Sequence, residues 1–388
     1  MLKRLRVALL IESSRAHGRD MLYGVAAYAR GRWSIYYPER VLSDAAPPQL
    51  RDWKPDGIIA RIGSRELQQQ IKKMHLPTVD LCDRYKIKGV PRIETNHRAT
   101  AQLAANHLLE CGLTHFAYCG FSGLPYSDER CTHFVRHLAG LGHQCHVFAD
   151  PHPQRLSSDY SVEATYLLGN QALLTWLRSL PEPVGIMACN DICAQQILDT
   201  CGENDITVPD KVAVIGVDND HVLCDLGNPP LSSIDLNGQQ AGYVAAATLE
   251  RMIGGDVPDE LTVVEPSGVV VRRSTDTLAI PDEDVAAAVR MIRKRACEGI
   301  KVRDVVEAMA VSPSTLERRF LKYLGRSPLA EIIRIRIREA RYLLTKTNLS
   351  LAEIAQQTGF HNVECFCNLF KEKVGQTPGK YRKGSRML

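Results

Sequence analysis

A chain of 388 residues is too long for one ordinary hydrophobic core, so two or three domains are expected. With 45% hydrophobic and 24% charged residues it has the composition of a globular protein, and no apolar stretch is long enough to cross a membrane as a helix. The net charge of +4 is unevenly spread: from Pro281 onward 21 Lys and Arg face 12 Asp and Glu, leaving 27 against 32 before it, a tail of +9 on a body of −5. A basic tail suits a polyanionic partner, although the same charges also suit a solvated face. The 12 cysteines are scattered, with no Cys-x-x-Cys, and the close pairs Cys365/Cys367 and Cys189/Cys193 lack the second pair or the His spacing of a zinc site. They read as small buried hydrophobes in a reducing cytoplasm, and neither a metal nor another cofactor is expected.

The first residues imitate a secretory leader, but the apolar run stops at Glu12 with no small-residue cleavage site behind it, so residues 7–11 read as a buried first strand. A helix over about 20–30 follows, then apolar runs at 57–60 and 78–81, a helix over 99–110, a strand at 115–119 and a helix over 134–141. The second half repeats the scheme, with a strand near Val147, a helix over about 163–180, a strand at 184–188, a helix over 192–200, a strand at 212–217 and a helix over 239–252. Such alternation implies parallel sheets covered on both faces, and the length implies two lobes. Ligands of such folds sit at the carboxyl ends of the strands, here in the cleft between lobes. The polar stretch from Thr275 to Asp284 reads as a linker short enough to transmit a change of orientation, which divides the chain into a body (1–276), a linker (277–284) and a tail (285–388).

In the tail, residues 285–295 form an amphipathic helix with Val289 and Ile292 inward. Residues 302–310, a turn at Val311, Ser312 and Pro313, and residues 315–322 make a helix-turn-helix, closed by Gly325 and Pro328. The run 332–337 alternates like a strand, while Ile333, Ile337, Ala340 and Leu344 make a helix stripe. A clearer helix-turn-helix follows: Ser350 with Glu353 forms a capping box, Ile354 and Ala355 are its buried side, Gly359 breaks the helix, and Asn362 caps a second helix with Phe366, Leu369 and Phe370 on one face. That unit lays its second helix in a DNA major groove. A helical hairpin in some core is the blander reading, and two copies weigh against it.

Leu316, Arg318, Phe320, Gly325, Pro328, the Arg336-x-x-x-Ala340-x-x-Leu343-Leu344 pattern and the run 354–382 resemble the AraC family of transcription regulators. Asn106-His107-Leu108-Leu109-x-x-Gly112, Arg130-x-x-x-Phe134, Ala188-Cys189-Asn190-Asp191-x-x-Ala194, 214–219, 231–234 and 271–276 resemble the sugar-binding domain of the LacI family, itself similar to periplasmic binding proteins, without that family's N-terminal DNA-binding headpiece. The order, binding domain first and AraC-like tail last, resembles the bacterial xylose regulators. The resemblance implies a two-lobed, periplasmic-binding-protein-like α/β domain followed by an all-α domain with two helix-turn-helix units, the second joined to the first by a helix whose arginines flank DNA. It also implies a homodimer that binds double-stranded DNA and a sugar effector and recruits RNA polymerase.

A pyranose presents vicinal hydroxyls that a carboxylate accepts from and that Arg or Asn donate to, with aromatic rings covering its C–H faces. Arg19, Arg61, Asn96, Tyr126, Arg130, Asn190, Asp191 and Asp218 are the ligand candidates; Tyr126 is placed in a loop before Arg130. Each is equally readable as a capping or ion-pair residue, Asp191 in particular. Asn96 stands where relatives more often carry Asp, and Arg61 adds a positive charge, so the sugar is open between a pentose such as xylose and a related one. On the AraC pattern, Ser314, Thr315 and Arg318 in the first unit and Val363, Glu364 and Asn368 in the second face base edges. Arg318 is the strongest of these, since bidentate Arg–guanine contact is the commonest specific pairing. Ser312, Lys322, Arg341, Asn362 and Lys371 are the phosphate candidates. The chain holds no Gly-x-Ser-x-Gly, P-loop, Gly-x-Gly-x-x-Gly or His-Glu-x-x-His, so no enzyme is expected. A constitutive or nucleobase-responsive regulator of the same fold, and an exported transport-type binding protein, are the other readings.

Overall fold

The computed structural model describes residues 4–38, 45–82, 84–148, 171–277, 280 and 282–385. The chain divides into two compact units, one of residues 1–108 and 114–277, the other of residues 278–387 with the short segment 109–113.

The first unit holds two sheets. Strands β1 (Leu5–Leu10), β2 (Trp33–Tyr36), β3 (Gly57–Ala60), β4 (Thr78–Asp80) and β5 (Arg92–Thr95) lie in one, with β11 (Leu261–Val264) added at its edge. The order is β11-β5-β4-β3-β1-β2, and all pairs are parallel. The second sheet is made of β6 (His115–Cys119), β7 (Cys145–Val147), β8 (Val184–Ala188), β9 (Val212–Val217), β10 (Ser232–Asp235) and β12 (Gly268–Val270) in the order β12-β10-β9-β8-β6-β7. Only β12, paired with β10, runs antiparallel there. Helices α1 (Ala16–Ala29), α2 (Gln49–Trp53) and α3 (Arg65–Met74) belong to the first lobe, and α4 (His97–Glu110), α5 (Pro125–Gly140), α6 (Gln171–Ser179), α7 (Asp191–Glu203) and α8 (His221–Leu226) follow the crossing to the second. The chain then returns: α9 (Gly238–Ile253) packs on the first sheet before β11 and β12.

The period-two pattern explains why residues 7–11, which begin within β1, are all apolar. Val7, Leu9 and Ile11 join a core with Met21, Val25, Ala245 and Leu249, while Ala8 and Leu10 face Ile58, Ile62 and Leu67 on the other side. The crossing of α1 and α9 is set by glycine. A Cβ on Gly24 would stand 1.9 Å from the Gln239 carbonyl oxygen, and one on Gly242 1.9 Å from that of Met21, so each helix approaches the other's backbone where a side chain is missing.

Five strands, β2, β5, β10, β11 and β12, were not expected as such; each is three or four residues long, and β2, β11 and β12 are edge strands whose partly exposed residues weaken the apolar signal. The helix expected over 134–141 begins nine residues earlier, at Pro125, because its first two turns are polar. Of the helix expected over 163–180, residues 171–179 are helical, and 163–170 lie outside the described residues, as do 278, 279 and 281 of the linker.

The second unit is helical: α10 (Glu283–Arg295), α11 (Val302–Met309), α12 (Pro313–Leu324), α13 (Pro328–Lys346), α14 (Leu351–Gln357), α15 (Val363–Val374) and α16 (Pro378–Ser385). The ambiguous run 332–337 is helical within α13, whose faces serve two cores. Ile332 and Ile335 pack with Val289, Leu316 and Phe320; Ile337, Ala340 and Leu344 pack with Ile354, Phe366 and Phe370. Ser350 and Glu353 form the capping box, and Ser312 and Asn362 cap α12 and α15.

Candidate functional site: an interlobe cleft and a helix-turn-helix pair

Parallel strands deliver their carboxyl ends to one edge, and in the first unit both sheets do so around one cavity with a free volume of about 80 Å³, room for several water molecules. From the first lobe come Glu12 and Arg15 after β1, His17 on α1, Arg61 after β3, and Glu94 and Thr95 on β5; His97 opens α4. From the second come Tyr126 and Arg130 on α5, Asn190 after β8 and Asp218 after β9.

Of the eight sequence candidates the cavity gathers five: Arg61, Tyr126, Arg130, Asn190 and Asp218. Tyr126 is not in a loop; it sits one helical turn before Arg130 on α5, and the Arg130 guanidinium lies 5.0 Å from its ring centroid. Arg130 is 3% exposed and also donates to the Cys189 carbonyl, while its Nε–H has no partner among the described residues. Asn190 caps α7, accepting from the Cys193 amide at 2.9 Å, and its amide donates to the Tyr126 hydroxyl at 3.2 Å. Arg61 is ion-paired with the buried Glu12, whose second oxygen, Oε2, is buried without a hydrogen-bond partner among the described residues.

Asp218 has φ +108°, followed by Asn219 at +50°, a conformation that costs a non-glycine residue energy and aims the carboxylate into the cleft. Burial raises its pKa, against the pull of Arg130, Arg15 and Arg61. The half-buried His17 is pushed well below its usual range by desolvation first, then by Arg61 and Arg130, so it is neutral at pH 7.

The structure turns three candidates away from the cavity. Asp191 is 1% exposed behind it, accepting from the Ser233 hydroxyl at 2.5 Å and the Asp220 amide at 2.7 Å, and burial followed by Asp218 raises its carboxyl well above the usual range. Arg19 donates to the Ser13 carbonyl at 2.9 Å and pairs with Asp220 at 3.2 Å. Asn96 caps α4 through the Ala99 amide at 2.9 Å and donates to Glu265 at 2.7 Å. Glu12, Arg15, His17, Glu94 and His97 were missed as ligand candidates, although Glu12 stood out as the charge that ends an apolar strand.

In the second unit, Ser314 and Arg318 lie exposed on α12, with the half-buried Thr315 bonded to Ser312 Oγ at 2.8 Å. Leu316 and Phe320 hold the opposite face in the core. On α15, Glu364 and Asn368 are exposed, and Val363 packs partly against the second core. Ser312, Lys322, Asn362 and Lys371 are exposed, but Arg341 is half-buried and donates to the Tyr381 hydroxyl at 3.0 Å. Arg334 and Arg336 of α13, expected to flank DNA, have partners within the tail. Arg334 is bound by the fully buried Glu331, and Arg336 donates to the Ala296 and Ile300 carbonyls at 2.8 and 2.9 Å. Burial alone would raise the Glu331 carboxyl, but Arg334 and Arg326 hold it down at about 2.

Comparison with known proteins agrees with this division. Residues 6–99 match the XylR N-terminal domain, 105–275 a periplasmic binding protein-like domain and 305–384 a helix-turn-helix domain. The xylose operon regulatory protein of Escherichia coli K12 is 32% identical over 391 residues, 98% of this chain and 97% of that protein. The chain belongs to the XylR family.

The xylose operon regulatory protein of Haemophilus influenzae is 29% identical over 389 residues. A solved structure of the xylose-binding transcription activator XylR covers 99% of both chains at 31% identity, with a TM-score of 0.60. This XylR-family protein is thus a sugar-responsive, DNA-binding transcription regulator with an AraC-type tail, and the full-length relatives named here are regulators. No described helix is long and apolar enough to cross a membrane.

Proposed function

We propose that the effector is a pentose, xylose or a close relative, bound in the interlobe cleft of a cytoplasmic homodimer, and that it repositions the tails to activate transcription through RNA polymerase. In this reading residues 1–276 are the effector domain, 277–284 the linker and 285–388 the DNA-binding domain. The observation that carries it is the hydrogen-bonding inventory of the cleft. Glu12 Oε2 and the Asp218 carboxylate are acceptors, Arg130 Nε–H is a donor, and the Tyr126 ring and Met21 supply apolar surface. A polyhydroxylated ring both donates and accepts and so satisfies all of them at once, which an apolar or purely anionic ligand does not. The names of the most similar relatives point to the same sugar.

At the DNA, α12 and α15 enter successive major grooves about one turn (~10 bp) apart. Ser314, Thr315 and Arg318 read bases in the first unit, and Val363, Glu364 and Asn368 in the second. Ser312, Lys322, Asn362 and Lys371 hold phosphates, and Arg341 does so only on leaving Tyr381. Because α15 presents Glu364 in its first turn, the first unit supplies more of the affinity. The test is a thermal-shift screen of pentoses and hexoses on the full chain. A rise in melting temperature with xylose but not with glucose is expected, and no shift with any sugar sinks the reading.

A further inference from the structure

Two segments flank residues 278 and 279, and each is fastened within its own unit. In the first unit, Ser274 and Thr275 are fully buried: Ser274 Oγ donates to the Val214 carbonyl at 2.6 Å, and Thr275 Oγ1 lies 2.7 Å from Ser232 Oγ and 2.8 Å from His107 Nε2. Just before them, the Arg272 guanidinium donates to Asn219 Oδ1 at 3.1 Å and to the Leu231 carbonyl at 3.0 Å. Asn219 is the residue after Asp218, so the carboxylate in the cleft and the anchor of the departing chain share one strained turn.

In the second unit, Ile280 is 8% exposed and belongs to the first helix-turn-helix core, with Val285, Val289, Leu316 and Phe320. Asp282 caps α10 through the Val285 amide at 3.2 Å. From α12, Arg319 reaches back to this point, with Nη1 2.7 Å from Asp284 and 3.4 Å from Asp282. Arg319 is the neighbour of Arg318 on the recognition helix, yet its charge is spent on the incoming chain and not on the face that carries Ser314 and Arg318.

We propose that Arg319, with Ile280, is a positioning residue that fastens the incoming chain to the first recognition helix, so that the ligand state of the cleft reaches α12 directly and the second helix-turn-helix only through α13. The proposal rests on the reading that a cleft ligand controls DNA binding. Its chemistry is an ion pair between two elements of one unit, which a reversed pair can replace.

The experiment compares full-length wild type, Arg319→Met, which keeps the aliphatic stem, and the swap Arg319→Asp with Asp284→Arg. DNA affinity is measured with and without D-xylose on a duplex selected from a random pool by the wild type, and amide hydrogen exchange is followed in α10 and α12. A wild-type response of at least ~5-fold is expected. Arg319→Met should bring that ratio to within ~2-fold of unity while changing sugar-free affinity little, and the swap should restore it. A full response in Arg319→Met overturns the proposal, as does a loss of DNA binding that the swap fails to repair. A wild type that ignores xylose defeats the ligand reading instead, and exchange then decides the fastening. It stands if the first turn of α10 and α12 lose protection together in Arg319→Met, and falls if neither changes.

Discussion

Replacing Asp218 with Asn separates a ligand-binding carboxylate from a structural one, because the two roles have opposite signs in stability. Burial raises the Asp218 pKa despite three nearby arginines, so the ionised group costs the folded state energy at neutral pH. By linkage that cost appears as pH rises through the unfolded value and is complete above the folded one. Asn has nearly the same shape, carries no charge and tolerates positive φ better than most residues, and Asp218 stands at φ +108°. The unliganded variant should therefore melt no lower than wild type at pH 7. Sugar binding should move the other way. A carboxylate accepting from ligand hydroxyls makes charged hydrogen bonds worth about 1.5–3 kcal/mol, so losing one raises the xylose Kd by roughly 10- to 150-fold. Isothermal titration with xylose and a melting curve without it suffice. A Kd within ~3-fold of wild type would remove Asp218 from the site, and a lower melting temperature would make it a structural residue.

Gly242→Ala puts a methyl 1.9 Å from the Met21 carbonyl oxygen, and the α1–α9 crossing cannot yield without backbone movement; urea denaturation should show a loss of about 3 kcal/mol or more in the first unit. Glu331→Gln leaves Arg326 and Arg334 around a neutral group and should cost the tail about 2–3 kcal/mol at pH 7. Because the folded pKa is depressed from 4.5 to about 2, that difference should be constant above about pH 4.5 and shrink as pH falls toward 2, read by denaturation of both proteins across pH. Arg318→Ala should cost about 1–3 kcal/mol and relax base preference at one position, measured by binding to a library of substituted sites, while Asn368→Ala has the smaller effect.

The alternation of apolar runs with amphipathic helices was legible in the chain because both faces of a parallel sheet are buried: β3, β8, β9 and the part of β1 from Val7 on are short, wholly apolar segments. The tail was legible for a different reason. Ser350 with Glu353, and Asn362 with the Cys365 amide, are local bonds between residues three apart, so their geometry is written in spacing alone. What spacing does not carry is which side chains meet across the fold. Tyr126 and Arg130 became a stacked pair only once their polar segment was wound as helix, and Asp191 lies behind the cavity because Ser233 and the Asp220 amide, some 30 to 40 residues away, hold it there. The same holds for Arg334 and Arg336, whose positive charge suggested DNA in the sequence and which the fold sets against Glu331 and the Ala296 and Ile300 carbonyls. A charge in a sequence is ambiguous between solvent, ligand and buried partner, and only the positions of distant acceptors decide among them. Glu12 shows both sides: its place at the end of an apolar strand marks it as unusual, and the convergence of two sheet edges makes it part of a cleft.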